Sequence, residues 1–126
     1  MERNGRLRDD FRDRTKRFAG LVIRFYVTLP KNREEVRVCG HQMLRAGTSV
    51  AAHVREASRA RSDSEFISKL GGALQEADET LLWLELLREE CEVAAQESLP
   101  IEVEASELIA IMTTMVNKTK TRKAES

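Results

Sequence analysis

Apolar residues recur every three or four positions along four separate stretches of this chain, and that pattern restricts it to packed helices. The first stretch reads Phe11, Thr15, Phe18, Val22, Phe25 and Leu29, a heptad stripe with one polar member. The second reads Val36, Cys39, Met43, Ala46, Val50, Val54 and Ala57, and the third Phe66, Leu70, Leu74, Ala77, Leu81, Leu84 and Cys91. The fourth is Ile101, Ala105, Leu108, Met112, Met115 and Thr119, with Ile109, Ile111 and Val116 beside it. No stretch alternates with period two, so no strand is predicted. The breaks carry helix signals. Asp9 or Asp10 can cap the first helix, and Leu29-Pro30 ends it, because proline drives the residue before it out of the helical region. Asn32 with Glu35, and Ser62 with Glu65, have capping-box spacing. Pro100 fits the first turn of the fourth helix. The expected fold is all-α, an antiparallel up-down-up-down four-helix bundle over residues 10–119, with a flexible N-terminus at 1–9 and a flexible tail at 120–126.

At 126 residues the chain is one domain large enough to bury a core without staples. Its 41% hydrophobic content excludes disorder, and 2 prolines with 6 glycines are too few for a turn-rich sandwich. Gly40, Ala46, Gly47 and their small neighbours let another helix come close, and Gly71 and Gly72 are expected to mark close backbone packing. Apolar runs such as Leu81 to Leu84 fall far short of the roughly 20 residues that span a bilayer. Two cysteines and no signal peptide imply a reducing, cytoplasmic setting.

Chemistry finds little to use. Di-iron bundles need Glu-x-x-His pairs from two helices, and here only the reversed His53 and Glu56 occur. Cys39 and Cys91 fall on apolar stripes, where a free thiol acts as a small hydrophobe. No P-loop and no Gly-rich dinucleotide motif is present, so the expectation is no enzyme, no metal and no cofactor. Charge is more informative. Residues 1–61 hold 15 Lys or Arg against 7 Asp or Glu, and residues 62–126 hold 6 against 14, so halves of +8 and −8 cancel. Arg12, Lys16, Arg17, Arg24, Lys31, Arg33, Arg37 and Arg55 are the candidate nucleic-acid contacts, against the plainer reading that they pair with acids of the second half. Leu81 to Leu87 is apolar on more than one face, which makes Trp83, Leu86 and Leu87 the candidate oligomer interface. Opposed flanks of unlike charge would join head to tail and close a ring.

Leu29-Pro30-Lys31, Gln42, Arg45-Ala46, Ser49-Val50, Glu56, Phe66, Gly72 and Glu76 together follow a known order and spacing. Over residues 11 to 118 the chain resembles the bacterial four-helix-bundle proteins encoded in intervening sequences of 23S ribosomal RNA genes. It is also similar in fold to the accessory variability determinant of diversity-generating retroelements. The resemblance implies a homo-oligomer, usually a pentameric barrel, without enzymatic activity. It also implies RNA, or a nucleic-acid enzyme such as a reverse transcriptase, as the candidate partner beside a second copy. Gln42, Arg45, Ser49 and Glu56 match the second-helix signature and are expected to form a polar network, with Arg45 and Glu56 facing one neighbour. The family's usual Asn-Ile-Ala-Glu-Gly reads His53-Val54-Arg55-Glu56-Ala57 here, and a serine after the glycine is Ala73. The accessory determinants are markedly basic, so a neutral chain fits the intervening-sequence branch better.

Overall fold

A computed structural model describes residues 3, 4 and 6–125. It is the expected all-α bundle: α1 (Asp9–Thr28), α2 (Glu34–Ser58), α3 (Asp63–Glu89) and α4 (Ala95–Glu125) run alternately up and down. Each helix packs on the next in sequence, and α4 returns to α1 along a sparser seam. Phe18, Val22, Met43, Val50, Val54, Leu70, Leu84, Leu108 and Met112 are fully enclosed, so all four stripes meet in one core. No helix among the described residues is long and apolar enough to cross a membrane.

Small residues set the α1–α2 approach as expected. A Cβ on Gly40 would stand 3.0 Å from Leu29 Cδ1, and one on Gly47 only 2.8 Å from both γ-carbons of Val22. On α3 the expectation divides. A Cβ on Gly72 would stand 3.3 Å from His53 Nδ1, whereas one on Gly71 would meet nothing within 4 Å, so Gly71 marks no close packing.

The helix ends bring corrections. Two short strands do form: β1 (Arg3–Asn4) pairs antiparallel with β2 (Leu7–Arg8). The expected flexible start is therefore tied down over residues 6–8; residues 1, 2 and 5 lie outside the described set. Leu7 is buried, Arg6 N–H donates to Ser58 O at 2.8 Å, and Arg6 Nε donates to Ala60 O at 2.9 Å. Neither Asp9 nor Asp10 caps α1. Arg8 holds that position without a side-chain bond, and both acids occupy the first turn, where the helix dipole favours them. Nor does Asn32 cap α2: Arg37 N–H reaches back to Arg33 O at 3.0 Å, which moves the cap to Arg33. Ser62 does cap α3, accepting from Glu65 N–H at 3.0 Å. Leu29 is extended before Pro30, as expected.

At the other end, α4 begins at Ala95, so Pro100 sits inside the helix rather than in its first turn. The missing N–H falls opposite the carbonyl of Gln96, an exposed residue whose oxygen water can satisfy. Past residue 119 the helix continues to Glu125, because Arg122 bonds Asp63 at 3.0 Å and Lys123 bonds Ser64. Asp63 also accepts from Arg6 Nη1 at 2.7 Å; the Arg6 bond first, then Arg122, holds its carboxyl below the usual carboxylate range.

Between α3 and α4, exposed Glu92 adopts φ 57°, the left-handed region that side chains resist. Glu92→Gly should therefore raise stability by about 1 kcal/mol, read as a higher midpoint in urea unfolding.

Candidate functional site

Gln42, Arg45, Ser49 and Glu56 share one face of α2, and that face looks onto α3. Arg45 branches across the seam: Nη2 lies 2.8 Å from Glu79 Oε1, Nη1 lies 3.3 Å from Glu76 Oε2, and Nε lies 3.3 Å from Gln42 Oε1. Three turns on, Glu56 stands 3.8 Å from Lys69 Nζ and 3.0 Å from His53 Nδ1. Arg45 and Glu56 thus both face α3, as the spacing implies, but in two clusters rather than one network. Ser49 is half-buried between them. The His53 contact is close but out of line for a hydrogen bond, and Nδ1 is buried without a partner. Exposed ion pairs of this kind are worth about 0–1 kcal/mol each, so the seam sets helix register more than stability.

The eight candidate nucleic-acid contacts separate into two groups. Arg12 is bonded to Asp9, Arg37 to Glu34, and Arg33 to Glu35 at 2.9 Å. Lys31 Nζ caps the end of α1 by donating to Tyr26 O at 2.8 Å and Leu29 O at 2.7 Å, and it lies over the Tyr26 ring. Lys16, Arg17, Arg24 and Arg55 are exposed on outer helix faces, and Lys31 and Arg37 are exposed as well, so six of the eight are presented to solvent and two of those six are already engaged. The plainer reading holds for several other cations. Arg14 forms a two-pronged bond to Glu104, 2.8 Å at each prong, and Arg6 and Arg45 likewise take acids from the second half.

The interface candidates are also redistributed. Leu87 is wholly buried in the core and cannot meet a partner. Trp83 and Leu86 are half-buried, and Trp83 Nε1 is enclosed without a hydrogen-bond partner. Leu82, 47% exposed and one helical turn from Leu86, keeps part of that α3 face open, and the other exposed apolar side chains lie on other faces. A shallow groove between α3 and α4 is lined by Leu81, Leu99, Val103 and Ala110 and rimmed by Glu85 and Glu107. Leu99 is 45% exposed and Val103 59%. On α1 the outer face carries Ile23 and Val27, 44% and 71% exposed, among Lys16, Arg17 and Arg24. The sequence held one signal for this: valine and isoleucine placed off the heptad stripe, next to charge. Among the described residues, no three His, Cys, Asp or Glu side chains converge closely enough to hold a metal ion.

This architecture has known counterparts. A crystal structure of a protein of unknown function from the S23 ribosomal protein family of Bacteroides thetaiotaomicron is 34% identical in sequence. It superposes with a TM-score of 0.76, over 83% of this chain and 96% of that one. No curated protein sequence matches the chain. The family model for the 23S rRNA-intervening sequence protein matches residues 10–114, which takes in α1, α2, α3 and most of α4. The chain therefore belongs to the 23S rRNA-intervening sequence protein family.

Proposed function

We propose that this protein is a non-enzymatic, homo-oligomeric scaffold or adaptor, built by seating the outer face of α1 in the α3–α4 groove of the next copy. The observation that carries this reading is the complementarity of two exposed surfaces. The groove is apolar with an acidic rim, and the face of α1 is apolar with basic flanks. Exposed apolar patches on a soluble bundle usually mark interfaces, and opposite charge steers their encounter. A contact between unlike surfaces is heterologous and closes into a ring when the rotation permits, with five subunits the number the resemblance suggests. The polar side chains that converge elsewhere are engaged in helix-to-helix ion pairs, which is work for a scaffold rather than a catalyst.

Light scattering after size-exclusion chromatography, in about 0.1 M and 1 M salt, tests this. The wild type should elute as a closed oligomer that loosens at high salt. Val103→Glu and Val27→Glu should each give monomers, while Val38→Glu, exposed but outside both surfaces, should assemble normally. A monomeric wild type would overturn the reading. Nucleic acid that co-elutes at low salt and leaves at high salt would replace the scaffold with a nucleic-acid-binding accessory.

A further inference from the structure

The sparser seam of the bundle, between α1 and α4, holds a cleft of about 310 Å³. Its floor is apolar, made by buried Phe25 and Ile101, with Leu21 and Pro100 as walls. Two charged side chains stand on its rim, Arg24 from α1 and Glu97 from α4. Farther along the same seam, Arg14 reaches across to Glu104 at 2.8 Å and to Glu107 at 3.6 Å. In antiparallel helices, the register that sets Arg14 against Glu107 sets Arg24 level with Glu97. These two do not join. The Arg24 guanidinium lies back over Gly20, where a Cβ would stand 3.3 Å from Nη1, and neither charge has an ion-pair partner among the described residues. The rim also holds a spare acceptor: Pro100 has no N–H, so the helix bond to the Gln96 carbonyl is missing between two lining residues.

We propose that this cleft binds a small zwitterion with an apolar body, the class of an apolar α-amino acid. The carboxylate goes to Arg24, the ammonium to Glu97 and the Gln96 carbonyl, and the side chain to the floor between Phe25 and Ile101. An unpaired cation and an unpaired anion at one height suit a ligand that carries both charges at one end. A simple anion would face Glu97, a simple cation would face Arg24, and an uncharged apolar molecule would leave both unanswered. Size narrows the class further. Ligand clefts start at about 300 Å³, so this one takes a single small molecule and is too small for a peptide or a helix.

Isothermal titration calorimetry on the full chain, with L-leucine and L-phenylalanine as probes, tests this. At least one of them should bind at one site per chain, and glycine, which has the charges without the body, should bind at least about tenfold more weakly. Isoamylamine and isocaproate are leucine without its carboxylate and without its ammonium. Each should also bind at least about tenfold more weakly, because each gives up a charge-assisted hydrogen bond. The variants carry the assignment. Glu97→Gln should weaken leucine by about tenfold but not isocaproate, and Arg24→Gln should weaken leucine by about tenfold but not isoamylamine. Both side chains are exposed, so neither change threatens folding. No binding of either amino acid up to about 10 mM, equal affinities for leucine, isoamylamine and isocaproate, or variants that bind leucine as the wild type does would overturn the proposal. Arg24 also flanks the assembly face, so light scattering on the same samples reads the oligomer separately, and failure of the site is distinct from failure of the assembly.

Discussion

Replacing Glu102 by alanine is expected to lower the unfolding free energy by about 2–4 kcal/mol. Glu102 is 6% exposed on the inner face of α4. Its Oε2 accepts from Arg88 Nε at 2.8 Å and from Ser98 Oγ at 2.7 Å, and its Oε1 accepts from Arg88 Nη2 at 2.9 Å. A buried carboxylate is tolerable only with such partners, and removing it leaves a cavity beside an Arg88 that has lost its counter-charge. Arg88 retains some access to water, which keeps the loss below that of a completely enclosed pair. Glu102→Leu with Arg88→Leu should recover most of the loss, since apolar packing can substitute for a buried ion pair.

The same residue predicts a pH dependence. The Arg88 bond first, then the Ser98 bond, holds the Glu102 carboxyl below the usual range against the opposing effect of burial. A depressed carboxyl contributes stability that is present above its unfolded pKa, near pH 4.3, and lost as pH falls through the folded value. Thermal midpoints measured from pH 7 downward should therefore fall more steeply below about pH 4 in the wild type than in Glu102→Ala.

Two glycine-to-alanine changes should move stability in opposite directions. At Gly47 the new methyl would meet Val22, whose Cβ stands 3.1 Å away and whose branched side chain is enclosed and has no spare rotamer. Overpacking of about 1–3 kcal/mol is set against a helix-propensity gain of about 1 kcal/mol, so Gly47→Ala should destabilise by up to about 2 kcal/mol. At Gly71 nothing lies within 4 Å, so the propensity gain stands alone and Gly71→Ala should stabilise by up to about 1 kcal/mol. Adding Val22→Ala to Gly47→Ala should reduce the penalty in urea unfolding, whereas adding it to Gly71→Ala should not.

These contrasts show what periodicity reveals and what it leaves out. The stripe residues Phe18, Val22, Val50, Leu70, Leu84 and Leu108 are all core residues, because a bundle reads its interior straight from heptad spacing. Helix ends follow other rules. The cap of α2 depends on which carbonyl the first free N–H finds, and α4 begins ahead of Pro100, where the carbonyl the proline leaves unpaired belongs to an exposed residue, Gln96. The Ser98–Glu102–Arg88 cluster was legible only as an acid and a serine four apart beside the apolar stripe, a spacing equally common on solvated faces. Leu87 looked like a surface anchor because α3 is apolar on more than one face there, and a sequence cannot say which arc the neighbouring helices will cover. The surfaces that remain open, around Val103 on α4 and Val27 on α1, left only a faint trace in the sequence, valine and isoleucine off the stripe beside charge, and the placing of the helices around one another is what singles them out.

Asp63 receives Arg6 from the segment that leads into α1 and Arg122 from the last turns of α4. One carboxylate at the α2–α3 turn therefore gathers the incoming and outgoing stretches of the chain at a single pole. A domain organised in this way behaves as a cassette: it could be spliced into a surface loop of a host protein, or re-joined end to end and opened at another turn, without bending its helices. Partners fused on either side would emerge together at that pole and leave the α3–α4 turn unobstructed at the other.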